Sequence, residues 1–301
     1  MISLIISSPK SQDFFLSQNI GKTIGVEYEI IWIENKNRKY SLAQAYNLGA
    51  SKGKFEILCF VHDDVEFVSE NWGNIIVDLL KDEKFGLIGV AGSRNCSKIQ
   101  AGWWGYSALR YHRYSIANGS DAQKDLMICN PENEIVSKVS VLDGVFLATT
   151  KQIWSHFPFD ESNFKGFHGY DLDFSLQIGK KYNVGCSFQI PIIHKSKGRL
   201  TNEWYESMKM IQKKWRHYLP VSVLDEPKAV AESTERKNIE FLLLVMIQNE
   251  LSKNKVLWFF LTHLSSSHFS KHSLKWAFNY IFIGKKNDYL INKSKDALYE
   301  G

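Results

Sequence analysis

The stretch Leu58-Cys59-Phe60-Val61-His62-Asp63-Asp64-Val65-Glu66 constrains the chain more than any other. A short uninterrupted apolar run of this kind reads as a strand buried on both faces. It stops abruptly at a histidine and two adjacent carboxylates. Acids at the carboxyl end of a buried strand lie where open α/β sheets bind their ligands. Two neighbouring carboxylates repel each other and shed water reluctantly, so a divalent cation that compensates both would suit the position. Taken alone, an Asp-Asp pair is more often a turn whose acids cap the next helix or face solvent. The rest of the chain has to decide.

The segments before this run alternate in type. Ile2 to Ile6 reads as a buried first strand opening into Ser7-Ser8-Pro9, and a helix is expected over about 11–20. Tyr28 to Ile33 is a second strand ending at Glu34-Asn35, and a helix follows over 41–50 with Ser41 as its N-cap. The run at 57–61 is then the third strand. Strands and helices alternating at this spacing imply βαβ units, hence an α/β fold with a mostly parallel central sheet flanked by helices.

Beyond the acids, 71–80 reads as a helix and 85–91 as a strand. Residues 94–138 are rich in Gly, Ser, Asn, Tyr and Trp with weak periodicity, the signature of a long functional loop. Within it, Trp103-Trp104-Gly105-Tyr106 reads equally as a sugar-stacking surface or as core of an irregular insertion. A strand over 139–149 is broken at Asp143-Gly144, where the glycine marks a bulge or a close backbone approach. An amphipathic helix starts near Asp173, placing Asp171 and Asp173 at its positive end. A last strand over 189–194 ends in His194, and Trp204, Met208, Ile211 and Trp215 at helical spacing close the domain.

The segment 219–227 reads as a boundary, giving a domain over 1–220 and an appendage over 227–301. Helices are expected at 239–251, 255–264 and 273–283. Packing on the sheet domain is the favoured role for them. Peripheral contact with an anionic membrane through 239–283, anchored by Trp258, Phe259, Trp276 and Phe282, is the second, and a homo-oligomer interface the third.

Composition narrows the classes. A net charge of +5 suits anionic small molecules or a membrane surface but does not call for nucleic acid. Cys59, Cys96, Cys129 and Cys186 form no Cys-x-x-Cys pair and fit a reducing compartment. No stretch approaches the ~18 apolar residues of a membrane span, and the amino terminus lacks the basic flank of a signal peptide. The expected location is therefore cytoplasmic, including the inner face of the cell membrane. Gly21-Lys22-Thr23 imitates the end of a phosphate-binding loop, but Leu16 stands where its first glycine belongs, and it precedes a strand. The absence of Gly-x-Gly-x-x-Gly after the first strand argues against a dinucleotide-binding oxidoreductase.

In order and spacing, residues 1–215 resemble the family 2 inverting glycosyltransferases of the GT-A fold, in a bacterial branch with His-Asp-Asp in place of Asp-x-Asp. Ala45-Tyr46-Asn47-Leu48-Gly49, followed by the 57–61 strand, is similar to the family's Ala-x-Asn-x-Gly helix before its Asp-x-Asp strand. Phe159-Asp160-Glu161 with Tyr170-Asp171-Leu172-Asp173 is similar to the Phe-Asp-Glu and Glu-Asp-x-Asp pair.

The resemblance implies transfer of a sugar from a UDP, GDP or dTDP donor to a glycan or glycolipid hydroxyl, in bacterial surface polysaccharide or glycolipid synthesis. It implies Mn²⁺ or Mg²⁺ on Asp64 and His194, with Asp171 as the catalytic base and Asp173 as its alternative. Nucleotide contacts fall on Ser7, Ser8, Glu34, Asn35, Asn47 and His62, and sugar or acceptor contacts on Trp103, Trp104, Asp143, Gly144 and His168. The departures at His62 and Tyr170 leave room for a catalytically inactive nucleotide-sugar or glycan-binding module. A sugar nucleotidyltransferase ranks last, because Ser7-Ser8-Pro9-Lys10 is no glycine-rich loop.

Overall fold

The structure, a computed structural model, describes residues 1–81, 84–106, 108–118, 126–196, 200–264 and 269–283. Residues 107 and 119–125 of the expected insertion, and 265–268 and 284–301 of the expected appendage, therefore lie outside the described residues.

The chain opens with β1 (Ile2–Ser8), α1 (Phe14–Thr23), β2 (Tyr28–Glu34), α2 (Leu42–Lys52) and β3 (Ile57–His62). It continues through β4 (Val65–Phe67), α3 (Trp72–Lys81), β5 (Phe85–Gly89), β6 (Ala91–Ser93) and β7 (Asn95–Cys96). Next come α4 (Ala108–Tyr111), β8 (His112–Asn118), β9 (Met127–Cys129), β10 (Val136–Val139), β11 (Val141–Leu142) and β12 (Phe146–Thr150). The remainder is α5 (Lys151–His156), α6 (Tyr170–Gly179), β13 (Asn183–Ser187), β14 (Ile192–His194), α7 (Asn202–Trp215) and β15 (Val221–Ser222). Three helices end the described chain: α8 (Lys228–Gln248), α9 (Lys253–His263) and α10 (Lys271–Phe278), the last continued by a π turn over Asn279–Ile283.

The central sheet runs β10-β13-β5-β12-β3-β1-β2. β1 pairs in parallel with β2 and β3, and β13 with β5. β12 is antiparallel to both β3 and β5, so those two share a direction, and five of the seven strands run the same way. This is the mixed α/β architecture expected from the sequence, with antiparallel strands inserted in the middle and at one edge. Side chains alternate across the sheet. Leu4, Ile6, Cys59 and Val61 face a core built with α1 and α3, while Ile5, Leu58 and Phe60 face one built with α2, α6 and α7.

The region 94–138 is not the loop the sequence led us to expect. It supplies β7, β8, β9 and β10, and a second sheet orders β11-β6-β8-β14-β4 with β9 against β8. Most of these strands are too short to show a period, and their buried polar residues, Arg113, His112 and Ser115 among them, hide the alternation. Arg113 is held by Glu132, and Arg94 by Glu132 and Glu134.

The segment 219–227 is tied down. β15 pairs with β7, and Glu226 accepts hydrogen bonds from Arg110 and Tyr111. Leu242, Leu243, Met246, Val256 and Phe259 join the same apolar cluster as Trp204, Met208 and Ile211, so the terminal helices share the core that α7 covers. Of the four aromatic anchors considered, Phe259 is buried and Trp276 packs against this cluster, while Trp258 and Phe282 are exposed. Among the described residues, no helix is long and apolar enough to cross a membrane.

Candidate active site

The carboxyl ends of β1, β2 and β3 open onto two clefts that share one wall, Phe167. The first, of about 380 Å³, is lined by Ser7, Asn35, Arg38, Tyr40, Asp63 and Lys165, among others. The second, of about 170 Å³, contains His62, Trp103, Trp104, Asp143, Gly144, His168, Asp171 and His194. Beyond the last buried residue of β3, the chain turns and its polar side chains part. Asp63 goes to the first cleft, where the Ser8 hydroxyl donates to it. His62 faces the second.

Asp64 lies beside His194, with Oδ1 at 3.2 Å from Nε2, because β14 pairs antiparallel with β4 just after the turn. His62, Asp64 and His194 each offer a ligand atom, and these atoms lie within 4.8 Å of one another. Burial works to raise the Asp64 carboxyl, but the hydrogen bond and charge of His194, aided by Ser196, hold it far below the usual carboxylate range. Burial, and then the neighbouring His194, pull the His62 imidazole below its ordinary value and keep it neutral, the form that binds metals. One carboxylate and two imidazoles make a donor set that fits a divalent cation.

The base candidate stands on the first turn of α6. Gly169 caps that helix at φ +85°, a conformation that excludes most side chains, and a Cβ there would sit 2.9 Å from the Phe164 ring. Asp171 reaches the cavity, and the Gly144 N–H donates to its Oδ2 at 3.0 Å. The carboxyl is partly accessible from the cavity, yet enclosed enough that burial, reinforced by the charge of Asp143, pushes it up to about 7. N–H groups of Leu172 and Gly144 offset part of that rise. A carboxylate poised there can take a proton at neutral pH.

Asp173 is placed quite differently. It is fully buried on the far face of α6, where Trp215 Nε1 donates to Oδ1 at 2.7 Å and Lys214 Nζ lies 2.7 Å from the same oxygen. It lines neither cleft.

Other expected residues divide. Trp103 is buried, with Nε1 donating to Asp143 Oδ2 at 2.5 Å; Trp104 stacks beside it at 4.0 Å and is partly exposed. Asp143 also accepts from the Val145 N–H. Asn47, expected at the nucleotide, instead ties α2 to the Phe159 backbone and Trp154 Nε1. Glu34 pairs with Lys36 at the surface and lines neither cleft. Ser8 is buried, its hydroxyl donating to Asp63.

From the sequence, Asp63 carries no assigned role and His62 falls at the nucleotide; the structure places Asp63 in the first cleft and His62 in the second. β3 ends at His62 and the two acids form the turn that follows, so the alternation of the strand does not reach them. Arg38, Tyr40, Lys165 and Phe167 of the first cleft sit on loops without periodicity and carried no comparable signal.

Residues 8–215 match a family model described as a glycosyltransferase-like family. No curated protein matches the sequence. Among solved structures, GalNAc-T7 with UDP, GalNAc and Mn²⁺ is similar at 11% identity and a TM-score of 0.49. The likeness covers 93% of this chain and 56% of that one, so this chain spans little more than half of it. A197 from STIV is similar at 13% identity and a TM-score of 0.38, over 66% of this chain and 87% of that one.

Proposed function

The chain belongs to the glycosyltransferase-like family and is a glycosyltransferase; from that premise we propose a metal-dependent, inverting transfer from a nucleoside diphosphate sugar to an acceptor hydroxyl. The observation that carries this reading is the meeting in one cavity of a cation-binding group and a carboxyl poised near neutrality. His62 and His194 face the same cavity as Asp171, with Asp64 against His194.

The nucleotide fits the larger cleft, where Asn35, Tyr40 and Asp63 offer polar groups to a base and ribose. Its diphosphate then lies at the shared edge, beside Asp64 and His194. Asp64, His194 and His62 would hold a divalent cation, which would supply positive charge against the leaving diphosphate. The acceptor, a glycan or glycolipid, lies against Trp104 and His168. Asp171 takes the acceptor's hydroxyl proton as that oxygen bonds to the anomeric carbon. The bond from that carbon to the diphosphate oxygen breaks, and the nucleoside diphosphate leaves with the electron pair. One displacement with one base inverts the anomeric centre.

The test is a thermal-shift screen of UDP, GDP and dTDP with Mn²⁺, followed by turnover of the matching nucleotide sugars. Stabilisation by one nucleotide, dependent on the cation, with slow hydrolysis of its sugar, is the expected result. Binding without hydrolysis or transfer across donors and acceptors would make the chain a binding module. No stabilisation by any of the three overturns the donor assignment.

A further inference from the structure

A single hydroxyl joins the two halves of the site. Tyr170 is buried and packed edge-on to Tyr46, with ring centroids 5.6 Å apart. Its Oη lies 3.0 Å from His62 Nε2 and donates to the Gly144 carbonyl at 3.2 Å. The space for that hydroxyl exists because residue 144 is a glycine: a Cβ there would come within 2.0 Å of Oη. A phenol has one proton and a carbonyl can only accept. Both contacts are therefore satisfied in one way only, with Tyr170 donating to Gly144 and a protonated His62 Nε2 donating to Tyr170. In a neutral imidazole this leaves Nδ1 with a free lone pair.

We propose that His62 binds the cation through Nδ1 as a third ligand beside Asp64 and His194, and that Tyr170 is a positioning residue fixing the tautomer that makes this possible. The proposal rests on the cation site assigned above and adds its selectivity. Mg²⁺ prefers oxygen ligands and keeps several waters. Imidazole nitrogen suits transition ions, and affinities for nitrogen-containing sites rise from Mn²⁺ to Co²⁺. A site with two imidazoles and one carboxylate therefore takes Mn²⁺ or Co²⁺ in preference to Mg²⁺. An aspartate at position 62 would give more oxygen character and narrow the difference.

The experiment uses the full chain stripped of metal, without any sugar donor. Mn²⁺ and Mg²⁺ are titrated by calorimetry, and Co²⁺ by its visible absorption. Wild type is expected to bind Mn²⁺ at least about tenfold more tightly than Mg²⁺, a preference His62→Asp reduces. Tyr170→Phe keeps the ring and should weaken Mn²⁺ by about 10–100-fold, the usual cost of losing a partner behind a ligand. It should also alter the Co²⁺ spectrum, which a merely structural change with an unaltered melting temperature would not do. Should Tyr170→Phe fail to fold, His62→Asp and His62→Ala still decide. Equal binding of Mn²⁺ and Mg²⁺ by wild type, or unchanged Mn²⁺ affinity in His62→Ala, overturns the inference. Selective binding with no turnover of any nucleotide sugar would instead sink the transferase reading and leave the inference standing.

Discussion

On one face of α6, Asp160 and Asp173 share the ammonium of Lys214, each with an oxygen 2.7 Å from Nζ. On the other face, Asp171 and Asp143 meet only backbone N–H groups and an indole among their hydrogen-bond donors. Both groups of acids are enclosed, and both sit beside the same helix turn. They differ in where compensation comes from. α7 brings a cation to the first, which becomes part of the scaffold. The second receives none from its direct partners, and burial together with the charge of Asp143 raises the Asp171 carboxyl.

Three substitutions probe that contrast, in descending effect on transfer. Asp64→Ala should abolish cation binding and lower transfer by more than about a thousandfold, since a catalytic cation supplies several kcal/mol. Calorimetry with Mn²⁺ beside a transfer assay reads both, and retained cation affinity would remove Asp64 from the ligand set.

Asp171→Asn should lower transfer by about 10²–10⁴-fold while leaving nucleotide and cation affinity intact. The base must be ionised, and its pKa is raised to about 7, so wild-type turnover should fall as pH drops below about 7. A flat profile from pH 6 to 8 that matches Asp171→Asn would identify a different base. If Asp173→Asn instead abolished turnover with the fold intact, the two faces of α6 would have been read the wrong way round.

Lys214→Met should leave transfer per folded molecule unchanged and act on stability. Asp173 is fully buried, and stripping a buried charge of its partner costs about 3–5 kcal/mol. The lower end applies, because the lysine side chain is 26% exposed and water can take over part of its role. Urea denaturation measures it; a shift too small to resolve would mean that Trp215 and Gln177 satisfy Asp173 without the lysine.

The first three strands and α2 are legible in sequence because each is a single apolar run or a well-capped helix. Ser41 caps α2 and Gln44 returns the bond, as the local sequence implies. The second sheet is illegible because its strands are short and its interior holds Arg113 and His112. α8 begins at Lys228, earlier than expected, since its first turns are polar and are held by tertiary contacts such as Glu235 with Ser97. At the site, the order of the chain groups the end of β3 with Asp64 and His194, and the structure places the last two side chains 3.2 Å apart. What holds Asp173 away from the clefts is Lys214 and Trp215, some forty residues further on and invisible to any local pattern. Asn47 carries a family motif, yet here it serves as a brace between α2 and the Phe159 backbone.

Gly144 answers to α6 with both of its backbone groups: its N–H holds Asp171 and its carbonyl holds Tyr170. Tyr170 and Asp171 are consecutive, so the hydroxyl that meets His62 and the carboxyl that enters the cavity spring from Cα atoms a fixed step of the chain apart, about 3.8 Å. No loop movement can change that interval. The roots of those two side chains are thus gauged by the backbone itself, whereas Phe167, His168 and Trp104 hang from flanking loops. Change in what the cavity admits therefore has room in those loops, and very little in the turn that sets the gauge.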